Sequence, residues 1–351
     1  MKVKSLHINK YKVLENFDIN FTNEGKTNPV TVICGINGSG KTTLLDFINR
    51  IFTKGENAFE KRYIYGEDIV DVDEIKTPWS DEEGKYSTTP AFLKHIATEY
   101  ASKVIYYEAD KELYDIDDAI VNYVDKLIYE DDTKSSEAYE KTRNKIKNIL
   151  ECLDLEIEFD SLNKDKNVFF RNKNHNNLKI YDLSGGEREI ITKLLPLYLS
   201  DIKDSIILID EPETSLHPNW QSRIVELYEK VAIKNNLQII ITTHSPYIVG
   251  GIKKECLKIL TKENGIIKVI DNNTYSYGKR IDEILLEIFG VKGLRTPKVE
   301  EKIEHLQKML LDNKQNKSEF KTLLTEMENI LGRNDRDLTL IRLELARLSH
   351  N

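Results

Sequence analysis

Three short stretches of this chain gather the residue types needed to hold and cleave a phosphoanhydride. The first is Gly35-Ile36-Asn37-Gly38-Ser39-Gly40-Lys41-Thr42-Thr43. It fits G-x-x-x-x-G-K-[ST], in which glycines let successive backbone N–H groups turn inward around phosphate oxygens. Lys41 is placed to bring a point charge to the β- and γ-phosphates, and Thr42 to offer a hydroxyl to Mg²⁺. A β-branched run at 30–34 precedes the loop and a helical pattern follows it, so the helix start is aimed at the anion. The expected nucleotide contacts are Gly35, Asn37, Gly38, Ser39, Gly40, Lys41, Thr42 and Thr43. The second stretch is Asp210-Glu211, directly after Ile206-Ile207-Leu208-Ile209. A buried strand ending in two carboxylates sets them at the carboxyl edge of a sheet. Successive strand residues point to opposite faces, so the two divide the work. Asp210 is expected in the Mg²⁺ shell and Glu211 as the general base for the attacking water. The third stretch is Ser184-Gly185-Gly186-Glu187, which opens a helix. Ser184 suits an N-cap, and the glycines bare backbone N–H groups, so this is a second anion site. One chain with one nucleotide has no use for two phosphate cradles. His244 follows another buried run at 238–243, a place where a plain core histidine also fits.

Taken together, Leu183-Ser184-Gly185-Gly186-Glu187 followed by Asp210-Glu211-Pro212 resembles the ABC ATPase superfamily. The resemblance implies ATP and Mg²⁺ as ligands and a head-to-tail dimer, in which the Ser184 loop caps the γ-phosphate held by the other subunit. It implies that Ser215-Leu216-His217-Pro218 bridges the two sites and that His244, in Thr243-His244-Ser245-Pro246, senses the γ-phosphate. The matching motif order covers residues 1 to about 250. Two departures stand out. Transporter-type members carry a glutamine between the phosphate loop and the signature, and none occurs here between Lys41 and Ser184. Glu108 or Asp110 is the candidate replacement. The aromatic residue that stacks on adenine in such proteins is not identifiable. The opening stretch INKYKVLENF resembles the start of the RecF and chromosome-maintenance branch, where a basic residue touches the phosphates, and Lys12 stands in its place.

Further along, YSYGKRIDEILLEIFGVKGLRTPKVEEKIEHL and the later Leu331-Gly332-Arg333-Asn334-Asp335-Arg336-Asp337-Leu338 resemble Septu-type (PtuA-like) anti-phage defence ATPases. Those bacterial proteins are paired with a separately encoded HNH nuclease and sometimes occur with retrons. The resemblance implies an ATPase subunit of a defence complex that regulates such a nuclease without being one itself. A RecF-like DNA-repair ATPase and a transporter ATPase subunit are the rival readings. The missing glutamine and missing membrane-coupling features count against transport. In the tail, Val299, Ile303, Leu306 and Leu310 form one apolar helix stripe. Phe320, Leu324, Met327 and Leu331 form a second, and Leu338, Ile341, Leu345 and Leu348 a third. Such stripes either pack against one another or dock a partner.

The elements that must position these residues follow from the hydrophobic pattern. Residues 3–8 and 17–21 alternate like an antiparallel pair, while 30–34, 205–209 and 238–243 read as fully buried strands. Helical stretches are expected at 116–129 and 135–152, and a two-strand hairpin at 167–171 and 178–181 around the turn NKNHNN. The expected fold class is α/β: an ABC ATPase head, that is, a P-loop NTPase with a mixed central sheet, a mostly helical insertion and a helical C-terminal tail. The boundaries are 1–54 for a first ATPase lobe, 55–180 for the insertion, 181–290 for the second lobe and 291–351 for the tail.

Composition narrows the partners. The 351 residues are 40% hydrophobic and carry a net charge of -8, so a nucleic-acid footprint over the whole surface is excluded and any such contact must be a local patch. Lys164, Lys166, Arg171, Lys173 and Lys179 around Phe169 and Phe170 form one candidate patch, with a solvated hairpin as the alternative. Asp71-Val72-Asp73 has the spacing of a metal pair but reads as solvated loop charge. Cys34, Cys152 and Cys256 are scattered, which points to a reducing compartment. With no signal-peptide pattern and no apolar run near the ~20 residues of a membrane span, the expected location is the cytoplasm.

Overall fold

Alternation in the first twenty residues becomes a hairpin: β1 (Lys2–Tyr11) pairs antiparallel with β2 (Leu14–Asn20), matching Leu6 with Ile19 and Ile8 with Phe17. Leu6, Ile8, Leu14 and Phe17 all face inward and are buried. The computed structural model describes residues 1–55, 68–73, 85–109, 116–200, 202–214, 216–270, 275–315 and 317–349. After a short hairpin of β3 (Thr22–Asn23) and β4 (Lys26–Thr27), β5 (Val30–Gly35) runs into the phosphate loop and α1 (Lys41–Thr53). Next come β6 (Ile69–Asp73), β7 (Lys85–Ser87), α2 (Pro90–Tyr100) and β8 (Val104–Tyr107). Two helices, α3 (Ile116–Tyr129) and α4 (Ser135–Cys152), lead to a hairpin of β9 (Glu158–Leu162) and β10 (Val168–Arg171). The chain returns through α5 (Gly185–Leu199), β11 (Ile206–Asp210), α6 (Pro218–Asn235), β12 (Gln238–Thr243), α7 (Pro246–Gly250), β13 (Leu257–Glu263) and β14 (Ile266–Ile270).

Apart from the β3–β4 and β9–β10 hairpins, these strands build two sheets. The first is antiparallel, in the order β2-β1-β6-β7. The second has the order β14-β13-β5-β12-β11-β8, parallel throughout except for β14. Strands β5, β11 and β12 have no exposed residue, as a parallel sheet covered on both faces requires. Helix α1 fills the space between the sheets. Its Leu44, Phe47, Ile48 and Ile51 share one core with Leu6 and Ile8 of the first sheet and with Ile33, Leu208 and Ile240 of the second. Gln238, fully buried at the start of β12, stitches the sheets together. Its amide accepts from Val3 N at 2.7 Å and donates to Val3 O at 2.7 Å, satisfying two backbone groups where the register of β1 shifts.

Several expectations need correction. The segment 55–180 is not simply an insertion, because β6 and β7 complete the first sheet and β8 is an edge strand of the second. Among the described residues of this segment, α3, α4 and the β9–β10 hairpin come after those three strands and belong to neither sheet. In that hairpin β10 pairs with β9, upstream, while Leu178 makes a single bridge to Phe170 and 180–182 is a helical turn. Asp71 lies in β6, opposite Ser5 of β1, not in a loop. The region between 250 and 280, left without strands by the sequence reading, supplies β13 and β14. Their turn, Asn264-Gly265, has positive φ at both residues, the geometry of a tight hairpin.

The chain divides into two compact units, Met1–Ile284 and Leu285–Asn351, with α8 (Ile281–Glu287) running across the division. The second unit contains α9 (Pro297–Leu311), α10 (Ser318–Leu331) and α11 (Arg336–Ser349). All three apolar stripes of the tail meet there in one core, with Leu306, Phe320, Met327, Leu338 and Ile341 buried. Arg295 fastens its ends, bonding Asp335 at 2.9 Å and Asp337 at 2.6 Å, while Asp335 also accepts from the N–H groups of Asp337 and Leu338 at the start of α11. The stripes are therefore spent on packing within the tail.

Candidate functional site

The site grows from the carboxyl ends of β5, β11 and β12, three adjacent parallel strands. Beyond β5 the loop needs its glycines. A Cβ on Gly35 would meet Leu260 O at 2.3 Å and Ser39 Oγ at 2.8 Å, and Gly40 has φ 83 with Leu14 Cδ2 2.9 Å from where a Cβ would stand. The loop is thus a backbone cradle with no room for side chains at its two hinges. Lys41 is buried inside it and donates to Gly35 O at 3.0 Å. Burial lowers its pKa, opposed by the carboxylates of Glu211, Asp210 and Glu213. Burial also pushes the neighbouring Cys34 thiol up to about 12, so it is inert as a nucleophile. Ser39 Oγ is buried with no hydrogen-bond partner among the described residues, an orphan polar atom at the loop.

Asp210 ends β11 within reach of that cradle. Its Oδ1 accepts from Thr42 Oγ1 at 3.2 Å and from Thr242 Oγ1, and the Tyr106 hydroxyl of β8 also bonds it. Burial and the carboxylates of Asp210, Glu108 and Asp46 raise the Tyr106 phenol, which keeps it neutral as a donor. Glu211 does not diverge from Asp210 by strand alternation, as the sequence reading has it. It has left the strand with φ 47, in the left-handed region, and its N–H bonds Thr242 O at 3.1 Å. A non-glycine residue held there is strained, and strain of this kind gathers at functional sites. His244 Nε2 lies 3.2 Å from Glu211 Oε1. Burial first, then the charge of Lys41, lowers the pKa of the His244 imidazole against the pull of Glu211 and Asp210.

A cleft of about 450 Å³ opens beside α1, lined by Lys12, Thr42, Thr43, Asp46, Arg50, Tyr106 and Glu108 among others. Lys12 sits at the β1–β2 turn with φ 51 and donates to Asp46 at 2.6 Å, where Tyr11 at 2.7 Å and Arg50 at 2.7 Å converge as well. Although burial works the other way, these donors hold the Asp46 carboxyl below its usual value. Glu108, at the end of β8, also shares a small cavity with Asp210, Lys193 and Tyr228. Asp110 and Ser215 lie outside the described residues.

The signature forms a closed local unit. Ser184 Oγ accepts from Glu187 N at 3.4 Å and Glu187 Oε2 accepts from Ser184 N at 2.9 Å, a reciprocal capping box that leaves the glycine N–H groups at the start of α5. Lys193, which reaches the Asp210 cavity, is nine residues along the same helix, roughly 13 Å from Ser184 at 1.5 Å per residue. The structure thus brings together Lys41, Thr42, Asp210, Glu211 and His244, while the capping bonds of Ser184 and Glu187 stay within the signature itself.

The cradle, the orphan Ser39 hydroxyl and the hard oxygen pair Thr42–Asp210 fit a nucleoside triphosphate with Mg²⁺. Among the described residues no cluster of His, Cys, Asp or Glu forms a separate metal site. The basic patch largely dissolves. Lys166 pairs with Asp125 at 2.6 Å, Arg171 with Glu158 at 2.6 Å and Lys173 with Glu156 at 2.5 Å, and Phe170 is buried. Sequence reasoning passed over Thr242, Tyr106 and Glu213. Only the third carboxylate in Asp210-Glu211-Pro212-Glu213 left a trace in the sequence, and its burial did not.

This is the fold of an ABC-type ATPase head. The chain matches an SMC head domain from Thermotoga maritima with a TM-score of 0.50 at 20% identity, over 78% of this chain and 100% of that one. It matches an SMC head bound to the C-terminal winged-helix domain of ScpA with a TM-score of 0.51 at 16% identity, over 76% and 96%. A family model described as "AAA domain, putative AbiEii toxin, Type IV TA system" matches residues 85–250. Within this class the chain resembles the Septu-type defence ATPases: it is 25% identical to the Septu protein PtuA of Bacillus thuringiensis over 90% of its own length and 91% of that protein's. It is also 29% identical to the Retron Vc95 probable ATPase of Vibrio cholerae serotype O1 biovar El Tor over 32% of this chain, spanning 24% of that protein. No helix among the described residues is long and apolar enough to cross a membrane.

Proposed function

We propose that this chain binds ATP with Mg²⁺ and hydrolyses it in head-to-tail pairs, as the ATPase subunit of a bacterial anti-phage complex. Its partner is a nuclease encoded as a separate chain. The observation that carries the chemistry is the convergence of Thr42, Asp210, Glu211 and His244 on one sheet edge. Bound Mg²⁺ would supply charge neutralisation at the β- and γ-phosphates. Thr42 and Asp210 would hold it, their shared hydrogen bond already fixing both oxygens. The loop amides and Lys41 bind and orient the phosphates. Glu211 takes the proton of the attacking water, its carboxylate held against the His244 imidazole. His244, kept neutral by burial, bonds Glu211 on one side and faces the terminal phosphate.

The pairing rests on the signature. A capped helix start with glycine amides is a second anion site besides the chain's own phosphate loop, and one nucleotide per chain needs only one. The defence role rests on the match to the Septu protein over nine-tenths of the chain and on the retron ATPase. The SMC-head fold alone fits a repair ATPase equally well, and the relatives tip the balance.

Mixing two inactive variants tests the pairing. Ser184→Arg blocks the cap and Lys41→Ala empties the cradle, yet a mixed pair holds one intact composite site. Partial recovery of phosphate release on mixing is expected. A mixture as inactive as either parent at every ratio defeats the trans site. Co-purification from the native host, with identification of the bound chains, tests the partner: recovery without any nuclease counts against the defence assignment.

A further inference from the structure

Glu213, on the turn that leaves β11, is a carboxylate near the site to which the chemistry above gives no task. Its position is costly. Oε1 accepts from Thr243 Oγ1 at 2.7 Å and from the backbone N–H of His244 at 2.6 Å. Oε2 is buried and has no partner among the described residues. Burial raises the Glu213 pKa, in spite of those two hydrogen bonds and with the Glu211 charge acting in the same direction. A carboxyl with one oxygen doubly bonded and the other bare does not serve stability well, since a smaller neutral acceptor would satisfy the same donors.

What the two bonds do is fix the peptide of His244. The imidazole stands 3.2 Å from Glu211 Oε1 only while the His244 backbone keeps its place at the end of β12. A second side chain holds the same loop from α6. Gln221 donates to Leu216 O at 2.8 Å and to Glu213 O at 3.4 Å, and its Oε1 accepts from Ser245 Oγ at 2.6 Å. Ser245 N in turn donates to Thr243 Oγ1 at 2.9 Å, so Thr243, His244 and Ser245 form one latched segment. Glu213, on the turn after β11, and Gln221, on α6, both bond that segment.

We infer that Glu213 is a positioning residue for hydrolysis: it acts through His244, holding the imidazole against Glu211, and it couples the turn after β11 to the histidine loop. This inference rests on the ATPase reading. It adds that a displacement of the β11–α6 turn reaches the His244 backbone directly through the Glu213 carboxyl.

A double-mutant cycle tests it. Steady-state kcat and KM for ATP hydrolysis, and affinity for a fluorescent ATP analogue, are measured for the full chain and for Glu213→Ala, Glu213→Gln, His244→Ala and Glu213→Ala/His244→Ala. A misplaced reacting group costs up to about 100-fold, so Glu213→Ala is expected to lower kcat by roughly 10- to 100-fold with KM changed less than about twofold. Glu213→Gln keeps a carbonyl acceptor for both donors and is expected to restore most of the rate. In the His244→Ala background, Glu213→Ala is expected to change kcat by less than about twofold, because the route it acts through is already gone. If the alanine variant does not fold, Glu213→Asp replaces it throughout. It keeps the charge and withdraws the carboxyl by one methylene. A full second loss in the His244→Ala background overturns the inference, as does a Glu213→Gln variant as slow as alanine. Wild-type protein that binds no nucleotide defeats the ATPase reading itself, a result these variants cannot imitate.

Discussion

The imidazole Nε2 of His244 and the carboxylate Oε1 of Glu211 stand 3.2 Å apart, joining the ends of two neighbouring parallel strands. His244 follows β12 and Glu211 follows β11. The contact exists because the strands pair in register, with Asp210 beside Thr242. A one-residue slip would turn every side chain of the strand to the other face and dissolve the site.

Replacing Glu211 with glutamine should leave nucleotide binding intact and slow turnover by about 10²–10⁴-fold, the usual cost of removing a general base. The amide keeps the shape and cannot take a proton. Phosphate release measures the rate, and light scattering with ATP should then report a persistent dimer. Undiminished turnover removes Glu211 from this role.

Lys41→Ala should abolish nucleotide binding rather than only hydrolysis. Lys41 is the buried cation of the cradle, and its loss leaves the phosphates facing Asp210, Glu211 and Glu213. Titration calorimetry with a non-hydrolysable analogue decides the point: unchanged affinity means the loop is not the site.

Acid should switch the site off through His244. Its pKa is held below the ordinary histidine value of about 6.5, so the ring is neutral at pH 7 and protonates only as pH falls past that value. A group with a lowered pKa gives a rate plateau above it and a decline below it. The kcat–pH profile of the wild type should therefore show an acid limb, and that limb should be missing from His244→Gln. The same limb in both proteins assigns it to another group.

Gln238→Leu should destabilise the first unit without touching the chemistry. It orphans Val3 N and Val3 O in a buried place, at about 1–3 kcal/mol for each unsatisfied group. Thermal melting should fall while KM for ATP stays unchanged in the remaining folded protein. A melting temperature equal to wild type means another residue bridges the sheets.

A chain ending at Arg295 should keep a folded, nucleotide-binding first unit, because the three tail helices close a core of their own. Placing Asp at Leu338, Ile341 and Leu345 should unfold the tail rather than merely strip a partner from it, since Leu338 and Ile341 are buried there. Circular dichroism should show lost helix in the triple variant. Full helicity together with loss of a bound partner would instead mark those side chains as a docking face.

Local pattern carried much of this protein. Residues 30–34 and 206–209 read as buried strands because neither has a polar face, and the glycines, Lys41, Asp210 and Glu211 declare themselves by type and spacing. These are short-range statements, settled within a few residues of chain. Contacts between distant residues were decided only in three dimensions. Burial turns Glu213 from a third surface acid into the anchor of His244, 31 positions away. The pairing of Lys166, Arg171 and Lys173 with Asp125, Glu158 and Glu156 neutralises much of a basic patch that looks open in one dimension. Strand β8, too short to betray its partner, takes its place in the core through the register Ile207–Ile105. Glu211 leaves its strand at φ 47, which no alternation rule anticipates, because the turn is imposed by the Thr242 carbonyl of the neighbouring strand. Propensity and spacing act along the chain, whereas desolvation and charge pairing depend on what folds against what, and that second set decides which of the legible residues can work together.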